Sequence, residues 1–141
     1  MNKHRFHVLL LSAFLLALTV GCDDGTSPPQ DSTPQKIAEI TDVQLTILKS
    51  NPPQLSITAK GNTSSSGWSK PELKPFVYVA PPQDGIYDFD FVAVPPSGGS
   101  ATVITPVEAT YILNPLPETL KGVRMHSAQN NKEAMLEVNK E

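Results

Sequence analysis

Cysteine is nearly missing from this 141-residue chain, which has only Cys22. One thiol excludes an internal disulfide and a thiolate metal cluster. A basic excess is missing too, because 11 Lys and Arg stand against 14 Asp and Glu. Nothing is left over to neutralise a phosphate backbone, which excludes nucleic acid as a partner. Histidine is scarce, and His126 is the only one beyond residue 22. One imidazole without thiolates does not make an ordinary zinc site, and a Ser-His-Asp hydrolase would have to use His126. No G-x-S-x-G turn is present to carry a nucleophile. No rhythm of strand and helix supports a parallel α/β sheet. The length is that of one ordinary domain.

Proline is plentiful. Its 14 residues are about twice the usual share, and each breaks a helix or ends a ladder. Long helices are therefore excluded, and short segments are expected.

At the N-terminus, Lys3 and Arg5 precede an apolar run over residues 8–20 that only Ser12 and Thr19 interrupt. A membrane-spanning helix needs about 20 apolar residues, so the run reads as the middle of an export signal. It closes on Leu18-Thr19-Val20-Gly21-Cys22, which resembles the lipobox of bacterial lipoproteins, with Thr19 where an aliphatic residue is usual. The resemblance covers residues 1–22. It implies cleavage before Cys22, a diacylglycerol thioether and a fatty acid such as palmitate on that residue, and attachment to the membrane through an N-terminal lipid. The competing reading is a secreted protein cleaved near Gly21 with Cys22 as a free thiol. Asp23 and Asp24 follow directly. In enteric lipoproteins this implies the periplasmic face of the inner membrane; elsewhere it accompanies outer-membrane or surface display.

Cleavage would leave nine basic against 14 acidic residues, a formal charge of −5. Such a body is repelled by anionic headgroups. Residues 23–36 have no aromatic or branched aliphatic side chain, so they are expected to stay disordered as a tether. The organisation expected is a signal peptide over 1–21, lipidated Cys22 and tether over 22–36, and a folded domain over 37–141.

From Ile37 the pattern becomes short and alternating. Val43, Leu45 and Ile47, then Leu55, Ile57 and Ala59, recur with period two around the turn Ser50-Asn51-Pro52-Pro53, as in a hairpin. A polar loop over 61–67 leads to Trp68. Residues 76–80 form a third strand between prolines. Residues 86–94 form the clearest one, with Tyr87, Phe89, Phe91 and Ala93 on the face that must be buried, because the other face carries Asp88 and Asp90. Further strands fall over 102–105 and 107–113, with a bend at Pro106. A last hairpin pairs 122–127 with 134–138, unless 131–140 is a short helix. Seven or eight such strands predict an all-β, antiparallel sandwich of immunoglobulin-like type.

Candidate sites are few. Asp88 and Asp90, flanked by Asp84, share a strand face about 7 Å apart, which suits acid–base chemistry or oxygen ligation; the plainer alternative is a solvated face that discourages edge pairing. Trp68 either plugs the sandwich end or stacks on a sugar or partner. His126 shares a strand with Arg124 and reads as a surface residue. The loops at 50–53 and 95–99 resemble two loops of chagasin-type protease inhibitors if they share one end of the sandwich, although the third loop of that family is missing. Asn62-Thr63-Ser64 fits a glycosylation sequon that is incidental in a bacterial chain.

The whole mature sequence, especially Gly67-Trp68-Ser69 and the run from Asp84 to Phe91, is similar to small bacterial lipoproteins, a likeness that brings no function with it. The expected role is a non-catalytic, lipid-anchored envelope module that binds a protein or glycan through Trp68, Asp84, Asp88 or Asp90, with no cofactor and no metal. An envelope hydrolase using Asp88 and Asp90, or a chagasin-like inhibitor, are the rivals.

Overall fold

The computed structural model describes residues 33–137. The signal run, the lipobox, Cys22 and most of the tether lie outside the described residues, as does residue 138 of the last expected strand. Among the described residues eight strands are formed: β1 (Gln35–Lys36), β2 (Glu39–Leu48), β3 (Gln54–Thr63), β4 (Ser69–Pro75), β5 (Ile86–Val94), β6 (Thr105–Leu113), β7 (Gly122–His126) and β8 (Asn131–Met135). Among the described residues there is no helix.

Two sheets build a β-sandwich. One is ordered β2-β3-β6, and the other is centred on β5. β4 takes one edge of β5, while β1 and β7 share the other end to end, β7 along residues 86–90 and β1 along Val92 and Ala93, with β8 beyond β7.

Period two sets what faces inward. In the smaller sheet the register aligns Val43 with Ala59 and Ala109, Leu45 with Ile57 and Tyr111, and Ile47 with Leu55 and Leu113. Opposite them lie Phe89, Phe91 and Ala93 of β5, with Leu73, Val123 and Met125. The aromatic face of β5 is buried, as the carboxylates on its other face require. Each Val, Leu, Ile, Phe or Met side chain among them that is taken fully out of water stabilises by roughly 1.5–3 kcal/mol.

One pairing departs from the antiparallel expectation: β5 and β7 run parallel. The chain leaves β5 for the other sheet in β6 and returns in β7. Each crossing reverses direction, so two crossings restore it. Period two says which face is buried but not which sheet a strand joins.

Other boundaries move. Gln35 and Lys36, expected in the tether, pair with Ala93 and Val92, because fully buried Ile37 docks in the core and draws its neighbours into the ladder. The third strand is Ser69–Pro75 and not 76–80; its buried anchor is Leu73, opposite Phe91. Residues 102–104 are outside any strand. β6 runs unbroken through Pro106, which an edge strand tolerates. The C-terminal hairpin exists, turning at 127–130, and β8 begins at Asn131, which corrects the helical alternative.

The start of the β2 edge, at Ile40 and Thr41, is capped by side chains. Asn130 Oδ1 accepts the Ile40 N–H at 2.8 Å and its Nδ2 donates to the Ile40 carbonyl at 3.0 Å, as a neighbouring strand would. Lys132 Nζ donates to the Thr41 carbonyl. The sandwich has two poles. The chain enters β1 at one, the entry pole, together with loops 64–68 and 95–104. The opposite pole carries turn 49–53 and segments 76–85 and 114–121.

Candidate functional site

The outer face of the β5 sheet gathers most of the titratable residues singled out in the sequence. Parallel register sets Asp88 beside Arg124 and Asp90 beside His126, and the next strand sets Glu133 beside Arg124. A row of alternating charge follows. Arg124 Nε donates to Glu133 Oε1 at 2.6 Å, and its Nη1 lies 3.4 Å from Asp88 Oδ1. Asp84 stands 4.0 Å from the same guanidinium and caps the backbone N–H of Ile86 at 3.0 Å.

Asp88 is the hub. Its Oδ1 is 2.7 Å from His126 Nε2, and its Oδ2 accepts the Tyr78 hydroxyl at 2.5 Å. Burial pushes the carboxyl up, but hydrogen bonds from Tyr78 and His126 and the charge of Arg124 outweigh it and hold the pKa below its ordinary 3.8. The Tyr78 phenol is pushed above its ordinary 10.0, first by burial and then by its bond to Asp88. Arg124 is raised mainly by its bond to Glu133.

Asp90 belongs to a different pair, with Lys36 Nζ 2.8 Å from its Oδ1. Asp88 borders a cleft of about 370 Å³ and Asp90 does not. The two carboxylates therefore share a strand face without sharing a cavity. The ring of His126 stacks on Phe76, centroids 5.5 Å apart.

The cleft opens at the opposite pole, where β4 has ended. Tyr87, Phe89, Tyr111 and Leu113 form its floor, and Pro75, Phe76, Tyr78, Val79, Ala80 and Pro81 form its wall, with Val77 outside the lining. Along segment 75–81 the side chains alternate. Phe76 lies on His126 and Tyr78 on Asp88 and Tyr87, whereas Val77 and Val79 are 98% and 107% exposed.

Trp68 is not part of this arrangement. It packs against the core, and its Nε1 donates to Ser65 Oγ at 3.0 Å. The loops at 50–53 and 95–99 lie at opposite poles, the first turning β2 into β3 and the second following Val94. They do not form one inhibitory edge, which corrects the chagasin-like expectation; sequence spacing does not fix the pole at which a turn falls. Asn62 of the sequon donates to Glu39 Oε1 at 2.7 Å. Among the described residues no group of three or more His, Cys, Asp or Glu is placed to hold a metal ion.

Sequence reasoning missed Tyr78. The signal available was its alternation with Val77 and Val79, but nothing local shows which half of such an alternation stays bare. No family model, curated protein or solved structure matches the chain.

Proposed function

We propose that the chain is a lipid-anchored, non-catalytic module of the bacterial cell envelope that binds a partner protein through the wall and cleft at its opposite pole. The observation that carries the binding role is the full exposure of Val77 and Val79 on a segment whose alternate side chains are fastened. Bare β-branched side chains held in place favour association, because little conformational freedom remains to be lost. The anchor rests on the lipobox at residues 18–22. A glycan is the second reading, favoured by the tyrosines of the cleft, whose faces suit sugar rings. Valine methyls offer a glycan nothing, so the protein reading leads.

The test is a photoreactive residue at position 79 of the full chain in cells, with position 58 on the other sheet as control. A defined protein adduct at 79, absent at 58 and lost on Val77→Asp, supports the reading. An adduct removed by glycan-degrading enzymes supports the glycan instead, and equal labelling at both positions overturns the site. Cys22→Ala should abolish incorporation of labelled palmitate and leave the signal run uncleaved, read as a slower-migrating chain without lipid.

A further inference from the structure

We infer that the entry pole rests on the lipid surface through Val103 and Ile104, an inference that depends on acylation of Cys22. Both side chains are exposed, at 56% and 69%. They directly precede Thr105, which pairs with Thr63 at this pole. Their loop is fastened: the Ser66 N–H donates to the Ala101 carbonyl at 3.0 Å, the Ala101 N–H donates to Ser66 Oγ at 3.2 Å, and the Val103 N–H donates to the Ala101 carbonyl at 2.8 Å. Two aliphatic side chains are thus presented to solvent on a braced support.

The chain itself says what covers them. β1 begins opposite Ala93, one residue short of the end of β5, so the polypeptide leading back to Cys22 leaves from this same pole. Eleven residue steps separate Thr33 from Cys22, which bounds their separation at about 40 Å for a fully extended chain. The strands from pole to pole are ten residues long in β3, about 30 Å. To bring Val77 and Val79 to the membrane, the linker would have to run back along the whole body at nearly full stretch. To bring Val103 and Ile104 there, it need only be short.

Charge agrees. The net acidity of the domain argues for standing off an anionic surface, but that charge is not spread evenly. Residues 61–69 and 91–107 and the turn 127–130, which supply the loops of this pole, contain no ionisable side chain. Lys70 follows the first stretch, exposed and without an ion pair among the described residues, at the register shift that opens β4. Of the acids that flank these stretches, Glu39 is bonded to Asn62, Asp90 is paired with Lys36 and Glu108 with Lys60, while Glu72 is exposed. An uncharged apolar tip beside one cation fits the interface of a bilayer, where aliphatic side chains leave water and a basic group meets phosphate.

Cys22 is the only cysteine, so once acylated it leaves an introduced cysteine as the only thiol to label. The full acylated chain carrying Val103→Cys or Val79→Cys is spin-labelled and reconstituted into vesicles of phosphatidylethanolamine and phosphatidylglycerol. The label at 103 should lose most of its access to a water-soluble nickel chelate and gain access to oxygen, whereas the label at 79 stays open to the chelate. Adding Ile104→Asp to the first variant should restore the access. Equal access at 103 and 79, or protection at 79 alone, overturns the inference. If the chain instead fails to float with vesicles and Cys22 itself takes the label, the acylation reading has failed, and that result is distinct from the other two.

Discussion

Tyr78 and Asp88 are joined twice: the Tyr78 hydroxyl donates to Asp88 Oδ2 at 2.5 Å and accepts the Asp88 backbone N–H at 2.9 Å. One phenol thereby fixes both the carboxylate and the strand that carries it, and it pins the segment that displays Val77 and Val79. The binding proposed for that segment would depend on this pin, since a free segment would lose conformational entropy on association.

Tyr78→Phe should cost about 1.5–3 kcal/mol of stability, the value of a hydrogen bond to a charged group. Its more telling effect is local. Amide exchange over residues 76–80 should accelerate while that of Phe89 and Phe91 stays slow, read by hydrogen exchange and mass spectrometry. Uniform acceleration across both would mean that the phenol supports the whole sandwich and not the segment.

Stability should bend at both ends of the pH range. The folded pKa of Asp88 is depressed, so its contribution is fully present above the unfolded value near 3.8 and is lost as pH falls through the folded one. The folded pKa of Tyr78 is raised, so its contribution is present below 10.0 and is lost as pH climbs through the folded value. Denaturant midpoints from about pH 5 to pH 2 should fall less for Asp88→Asn than for the parent, and Tyr78→Phe should flatten the alkaline side. Parallel acid limbs for parent and Asp88→Asn would show that other carboxylates govern that side.

Gly61 permits the close approach of the first strands. A Cβ there would sit inside the van der Waals radii of Ile37 Cδ1 and the Glu39 carbonyl oxygen. Gly61→Ala should therefore destabilise by roughly 1–3 kcal/mol, as overpacking does, and should loosen β1 first, measured as faster exchange at Ile37 than at Ile57.

Legibility followed the range of each interaction. The β5 face was readable because burying Asp88 and Asp90 would cost far more than burying Phe89 and Phe91, and that choice needs only one strand. The first hairpin was readable because its turn residues sit between two matched runs. The parallel β5–β7 contact was not, since it depends on two crossings between sheets, and the His126–Asp88 pair, 38 residues apart, comes with it. Segment 76–80 misled for a related reason: its alternation is real, but a ring stack on His126 and a bond to Asp88 hold it, where a core would have been the usual cause. Trp68 fits either a plug or a binding face from its sequence context, and it packs against the core from its place one residue before β4.

Asn130 tests how the sandwich manages an unpaired edge. Its amide matches the Ile40 N–H and carbonyl together, and its Oδ1 also accepts the Ser127 hydroxyl at 2.7 Å. An edge strand of ten residues invites pairing with another chain unless something occupies its backbone groups. Asn130→Ala should leave the Ile40 groups unmatched and cost about 1–3 kcal/mol. Asn130→Asp should be as damaging above the carboxyl pKa, because an ionised carboxylate accepts from the N–H but repels the carbonyl that Nδ2 now serves. The two variants separate on acidification: protonation returns a donor to the introduced carboxyl and should recover part of its loss, whereas the alanine variant recovers nothing. Denaturation midpoints near pH 7 and pH 4 for both, with light scattering to follow association through the exposed β2 edge, decide it. Equal stability of all three chains would assign capping of the edge's start to Lys132 and its bond to the Thr41 carbonyl.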